Sequence, residues 1–199
     1  DAAHAMLSFD REPHSFLAVP GARDVGVEVH SLSKGYDMIG WRIGWVCGHP
    51  QIVRAFADVK DNCDSGQFIA IQKAAAAALD DPEIPRRTRA KYRRRMEKLV
   101  ATLSRCGFQC TMPGGTYFLY TPSPKGLAGG GTEGGLVNFE NAEAASQYLS
   151  TEQSIGTVPW DDAGAFLRFS VTYEAADEKA EDALMAETES RLKGIRPVF

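Results

Sequence analysis

The stretch SLSKGYDMIGWRIGW, residues 31–45, places Lys34 directly behind Ser31 and Ser33 and ahead of Arg42, in a run otherwise rich in Gly, Trp and Ile. The preceding VGVEVHSLS (25–33) is Val-rich and alternating, which predicts a buried strand ending at Ser31. RIGWVCG (42–48) predicts a second strand. Lys34 therefore falls at the carboxyl end of a strand, where α/β proteins place ligand sites. A lysine amine is a poor nucleophile while protonated near its unperturbed pKa of ~10.4. Burial or a neighbouring cation frees its lone pair for Schiff-base chemistry. Ser31 and Ser33 can donate hydrogen bonds to a phosphate, and the planar fork of Arg42 can grip the same group. The four residues suit a phosphorylated aldehyde with its carbonyl carbon at Lys34. The competing reading is a surface lysine beside an ordinary Ser-rich turn.

Working outward, Pro50 suits the first turn of a helix running to about Lys60. Asp64, with Gln67 three residues on, is expected to cap a helix that continues through the alanines to Leu79. DDPEIP (80–85) breaks the pattern and marks a candidate boundary, giving domains 1–82 and 83–199. A long helix is expected over roughly 84–105, with Tyr92, Met96, Leu99, Val100 and Leu103 on its apolar face and Gly107 as its stop. FQCTM (108–112) and GTYFLYT (115–121) are expected to be two strands around PGG, and PSPKGLAGGGTEGG (122–135) a flexible loop. LVNFE, SIGTVPW and FLRFSVTY predict further strands, 141–152 a helix, and about 175–193 a last amphipathic helix. Strands alternating with helices argue α/β architecture.

Bulk properties remove several function classes. The 199 residues carry 44% hydrophobic and 24% charged side chains and a net charge of −4, which gives no general pull toward nucleic acid or an anionic membrane. The basic run RRTRAKYRRRMEK (86–98) is read as a solvated helix face, not a phosphate-backbone site. No apolar run approaches the ~18 residues needed to span a bilayer, and no secretory leader is expected. Cys47, Cys63, Cys106 and Cys110 match no zinc or redox spacing, so no metal is expected and free thiols in a reducing cytoplasm are. GGGTEG (129–134) matches G-x-G-x-x-G, but a Pro-rich loop precedes it and LVNF follows, so it is read as coincidence.

SLSK followed by GWRIGW resembles the lysine signature S-x-S-K…G-x-R of class I/II aminotransferases, the fold-type-I pyridoxal-phosphate enzymes. That resemblance implies that Lys34 links covalently to pyridoxal 5′-phosphate and that Ser31, Ser33 and Arg42 hold its phosphate. The opening DAAH resembles the family's D-x-A-Y segment. Asp1 would then face the pyridine nitrogen and keep it protonated, which makes the ring an electron sink. His4 replaces the family tyrosine that bonds the ring's phenolic oxygen, and brings its own titration near neutrality. FLRFSVTYE resembles the segment whose arginine binds the substrate α-carboxylate, which assigns that role to Arg168; taken alone, an arginine there reads first as a strand residue facing water. DNCDSGQFIAIQ (61–72) and GTVPWDDAGAFLRFSVTYEA (156–175) are similar to the subgroup assigned as LL-diaminopimelate aminotransferases, and PGGTYFLY (113–120) resembles the family's small-domain hairpin.

The resemblance implies the carboxyl-terminal part of the cofactor-binding large domain, with parallel-sheet strands and helices, followed by a small α+β domain. It covers the carboxyl-terminal half of the family's chain, in keeping with a sequence that opens on Asp1 and is expected to be a piece of a longer protein. It implies transamination between an amino acid and a 2-oxo acid, and homodimers that use DNCDSGQF as an interface loop. The same fold also hosts carbon–sulfur β-lyases, and a truncated, cofactor-free fragment without activity is a further alternative for the isolated chain.

Overall fold

The alternating VEVHS forms β1 (Val27–Ser31), which pairs antiparallel with β2 (Gly44–Gly48), Val27 opposite Gly48 and Ser31 opposite Gly44. These coordinates come from a computed structural model that describes residues 1–130 and 135–199. β1 ends at Ser31 because that residue caps the short helix α1 (Leu32–Gly35): its hydroxyl accepts the Ser33 N–H at 3.0 Å. The link between the two strands holds only α1 and a 3₁₀ turn at Ile39–Trp41. The chain therefore folds back beside β1 instead of crossing over, and two strands expected from a parallel sheet are antiparallel to each other. Every pairing between named strands is antiparallel among the described residues.

β1, β2 and α1 belong to a unit comprising Asp1–Lys91 and Gly114–Thr116. Helix α2 (Pro50–Cys63) opens on its proline as predicted, and α3 (Ile69–Leu79) ends at the expected leucine. Asp64 does not cap α3. Its carboxylate takes the Lys60 ammonium at 2.7 Å and the Gly66 N–H at 3.1 Å, closing α2 instead. Ser65 and Gly66 then take φ of 58° and 102°, a left-handed turn that delays the next helix to Ile69. Leu32, Tyr36, Met38 and Ala75 are buried together, with Ile43, Trp45, Ala78 and Ile84 packed against them.

The other unit comprises Tyr92–Pro113 and Tyr117–Phe199, and the division falls inside the long helix α4 (Glu83–Arg105). Tyr92, Met96, Leu99 and Leu103 are buried as their spacing predicts, and Gly107 at φ 89° ends the helix. The basic run on α4 is not simply a solvated face. Arg94, Arg95 and Lys98 converge on Glu181 of α6 (Glu178–Arg191), and both Arg95 and Glu181 are buried. FQCTM forms no strand: the Cys110 N–H turns back to the Phe108 carbonyl at 3.1 Å, and the Thr121 hydroxyl bonds the Gln109 carbonyl. β3 (Phe118–Pro122) pairs instead with β7 (Phe166–Ser170), which also pairs with β6 (Val158–Trp160). The expected flexible loop contains β4 (Gly126–Ala128), the centre of a second sheet between β5 (Leu136–Asn138) and β8 (Arg196–Val198). GGGTEG runs on into residues 131–134 and so lies partly outside the described residues. Helix α5 (Ala142–Gln153) is capped by Asn141. Helix α6 is shorter than predicted because the Asp177 carboxylate accepts the Ala180 N–H and fixes its start. No described helix is long and apolar enough to cross a membrane.

Candidate active site

Lys34 is the third residue of α1, half-buried one turn beyond the end of β1. Its neighbours set that burial: Leu32, Ser33 and Gly35 are all buried, and Leu32 is anchored by its N–H to the Ile43 carbonyl at 3.3 Å. Ser31 and Ser33 flank the lysine's turn. As a cap, the Ser31 oxygen accepts a hydrogen bond while its own O–H stays available as a donor.

The β1–β2 pairing sets Gly44 opposite Ser31 and the Ile43 carbonyl on the Leu32 N–H, and Arg42 directly precedes Ile43. Arg42 takes φ 52°, an uncommon left-handed conformation for a non-glycine residue. Its carbonyl accepts from Gln67 Nε2 at 3.3 Å, and its exposed guanidinium donates to the Ile39 carbonyl at 3.0 Å. The arginine side chain is thus bonded to Ile39, and among the described residues no hydrogen bond joins it to either serine hydroxyl.

The opening segment reaches the same turn from the other side. Ala2 N–H bonds the Val29 carbonyl at 2.8 Å, laying residues 1–3 beside β1. The exposed Asp1 carboxylate accepts the Ala3 N–H at 2.9 Å. A 3₁₀ turn at Ala5–Leu7 then packs so closely on α1 that a Cβ on Gly35 would lie 2.4 Å from Met6 Cβ. Only glycine fits there, and this close approach sets His4 next to Lys34. Burial first, and the charge of Lys34 second, hold the His4 imidazole below its ordinary pKa of 6.5. The ring is thus mainly neutral at pH 7.

A third segment completes this cluster, and the sequence analysis did not find it. Gly114–Thr116 bridges back to residues 7–9: Phe9 N–H bonds the Gly114 carbonyl at 2.8 Å, and Thr116 N–H bonds the Leu7 carbonyl at 3.1 Å. Thr116 Oγ1 lies 3.0 Å from His4 Nδ1. The only sequence signal was a threonine placed directly after two glycines.

Arg168 is described within its own unit. It stands on β7 with Leu167 and Phe169 buried on the opposite face, and its guanidinium lies over the Phe118 ring at 4.3 Å. The arginine is half-buried and stacked, not splayed into water.

Among the described residues, one trio of metal-ligating side chains comes together: Glu28, His30 and Cys47, within 4.8 Å of one another. Glu28 is already bonded to Ser15 Oγ and His30 Nε2, both at 2.8 Å, and these bonds lower its pKa to about 2. The trio ties the 15–17 segment to β1. The four cysteines are free.

The model of the family "Aminotransferase class I and II" matches residues 1–184. An LL-diaminopimelate aminotransferase of Methanococcus maripaludis is 48% identical across 100% of this chain and 48% of its own length. One from Methanocaldococcus jannaschii is 47% identical across 98% of this chain and 47% of its own. The chain thus spans about half the length of the curated relatives it matches. Substrate-bound BacF from Bacillus subtilis superposes with a TM-score of 0.81 at 26% identity, covering 98% of this chain and 47% of that one. The aspartate aminotransferase of Rhizobium meliloti, at 20% identity, shares the fold with a TM-score of 0.82 over 98% of this chain and 49% of that one.

Proposed function

This chain belongs to the class I and II aminotransferases, the pyridoxal-phosphate-dependent family expected from SLSK…GWRIGW, and from that premise we propose that the whole protein moves an amino group between LL-diaminopimelate and a 2-oxo acid. The carrying observation is the Lys34 turn: a half-buried lysine at a strand end, on a turn capped by Ser31 and containing Ser33, with the His4 imidazole close enough for the lysine charge to lower its pKa. The substrate assignment rests on relatives of that name at 48% and 47% identity.

The residues suit the cofactor. The Ser31 and Ser33 hydroxyls belong to one capped turn, Arg42 lies two residues before the Gly44 that pairs with Ser31, and Ala2 is bonded to Val29 of β1. Ser31, Ser33 and Arg42 would hold the phosphate, Asp1 the ring nitrogen and His4 the ring's phenolic oxygen. Pyridoxal phosphate, when bound, supplies an aldehyde for the amine and a ring that accepts electrons. The Lys34 amine would be the nucleophile toward that aldehyde. Once free, it carries a proton from the substrate α-carbon, acting as general base and then as general acid. Arg168 binds the substrate α-carboxylate through its planar fork, fixing the bond to be broken.

We further propose that the whole protein is a cytoplasmic homodimer and that residues 1–82 belong to the large domain and 83–199 to the small one. The loop before α3 supports an interface: Phe68 and Ile69 are 72% and 65% exposed. A monomer in analytical ultracentrifugation of the full-length protein refutes that part.

The functional test adds pyridoxal phosphate to the full-length protein. A protein-linked absorbance band that is lost in Lys34→Ala, with glutamate formed from 2-oxoglutarate and LL-diaminopimelate, supports the reading. Pyruvate released from cystathionine makes it a carbon–sulfur lyase. Absorbance of free cofactor alone refutes it.

A further inference from the structure

Thr116 has a backbone that its side chain resists. It is β-branched and takes φ 70°, in the left-handed region where such residues are outliers. Strain of this kind persists only where surrounding contacts over-determine the conformation. Those contacts are present. Thr116 N–H is held by the Leu7 carbonyl at 3.1 Å, and the preceding Gly115 bridges Ser8 so closely that a Cβ would meet the Leu7 oxygen at 2.8 Å. Glycine fills positions 114 and 115, and a third glycine would remove the strain at 116. A threonine there contributes a hydroxyl, and that hydroxyl lies 3.0 Å from His4 Nδ1 across 112 positions of chain.

A neutral imidazole carries one proton on one of two nitrogens, and the bond made by one nitrogen decides what the other offers. Neutral imidazoles already favour the proton on the nitrogen remote from the backbone. A hydroxyl that donates to Nδ1 reinforces that choice.

We propose that Thr116 is a positioning residue: its O–H donates to His4 Nδ1, holding the ring in the Nε2–H form so that Nε2 is the donor His4 offers to the cofactor's phenolic oxygen. The role toward the cofactor rests on the function proposed above, whereas the Thr116–His4 coupling is a property of this chain alone. The backbone at position 116 is strained to deliver that hydroxyl.

The test reads the tautomer directly, from the ¹⁵N shifts of His4 in full-length, histidine-labelled protein at pH 8 without cofactor. Wild type is expected in the Nε2–H form. Thr116→Val keeps the branching and removes the hydroxyl; a net hydrogen bond of ordinary strength changes the tautomer ratio by about fivefold. Thr116→Ser is expected to restore the wild-type ratio. Thr116→Gly relieves the strain and also lacks the hydroxyl, so it is expected to fold and to show the same change of about fivefold, which covers a failure of the valine variant to fold. A second arm adds pyridoxal phosphate and compares the position of the Lys34-dependent absorbance band, expected to move in Thr116→Val and Thr116→Gly and to return in Thr116→Ser. Wild-type His4 in the Nδ1–H form, or a ratio unchanged in both Thr116→Val and Thr116→Gly, overturns the proposal. No band in wild type, with the tautomer still responding to Thr116, overturns the cofactor reading and leaves the coupling standing.

Discussion

Glu181→Ala tests a buried carboxylate on which three cationic side chains converge. The carboxylate is 1% exposed. One oxygen accepts from Arg94 Nη2 at 2.9 Å and Arg95 Nε at 2.7 Å; the other accepts from Arg94 Nε at 2.9 Å and Lys98 Nζ at 3.3 Å. The Arg94 bonds lead in lowering its pKa from an ordinary 4.5 to about 2, against the cost of burial. At about 1.4 kcal/mol per pKa unit, the ionised carboxylate stabilises the folded state by about 3 kcal/mol more than the neutral acid does. Deleting it also leaves Arg95, 6% exposed, without its carboxylate, a loss of about 3–5 kcal/mol for a broken buried pair. Arg95 keeps its bond to the Tyr173 carbonyl at 2.6 Å, which points to the lower end, about 3 kcal/mol. The assay is native-state hydrogen exchange on α6 and β7, because a chain of two units does not license one global free energy. Protection there is expected to fall roughly a hundredfold at pH 7. Because the folded pKa is depressed, this stabilisation is complete above the unfolded 4.5 and fades as pH falls toward about 2. The gap between wild type and variant must close over that window. A loss below tenfold at pH 7, or a gap unchanged at pH 2.5, refutes the reasoning.

Gly35→Ala forces a methyl to within 2.4 Å of Met6 Cβ. It is expected to cost about 1–3 kcal/mol in thermal unfolding and to weaken the cofactor band, while Met6→Gly in the same background recovers part of both. Ser31→Ala removes the cap of α1 and is expected to cost about 1 kcal/mol of local stability. Pyridoxal-phosphate affinity measured by titration should fall with it, and an unchanged affinity removes Ser31 from the phosphate site. Lys34→Ala withdraws one of the two causes that depress His4, so the NMR midpoint of His4 is expected to rise toward 6.5. An unmoved midpoint shows that the lysine charge does not reach the imidazole.

The lysine turn was legible because its determinants are local. Strand alternation, the Ser31 cap and the serine–lysine–arginine spacing all fall within residues 25–48, and local chemistry dictates each. Asp64 was misassigned for the same reason in reverse. A carboxylate ahead of an apolar run suits an N-cap, but Lys60 one turn earlier competes for it and wins with two short bonds. The buried arginine was legible in principle: Arg95 follows Tyr92 by three positions and precedes Leu99 by four, on the apolar face. Reading the basic run as one solvated surface ignored that periodicity.

What periodicity never reveals is a contact made by an irregular segment across a long loop. FQCTM and GTYFLYT alternate enough to suggest a hairpin, yet the second pairs with β7 and the residues between them turn aside. That turn delivers Gly114–Thr116 to residues 7–9 and so to His4. Its only local marks are two glycines, one placed where a Cβ would strike the Leu7 carbonyl, and a threonine in a conformation threonine avoids. Each is unfavourable or neutral for local structure, so a propensity argument passes over them, and a residue that local preference disfavours persists through what its side chain does at a distance. At position 116 that distant partner is the His4 imidazole, so the histidine and the strain at Thr116 belong to one arrangement.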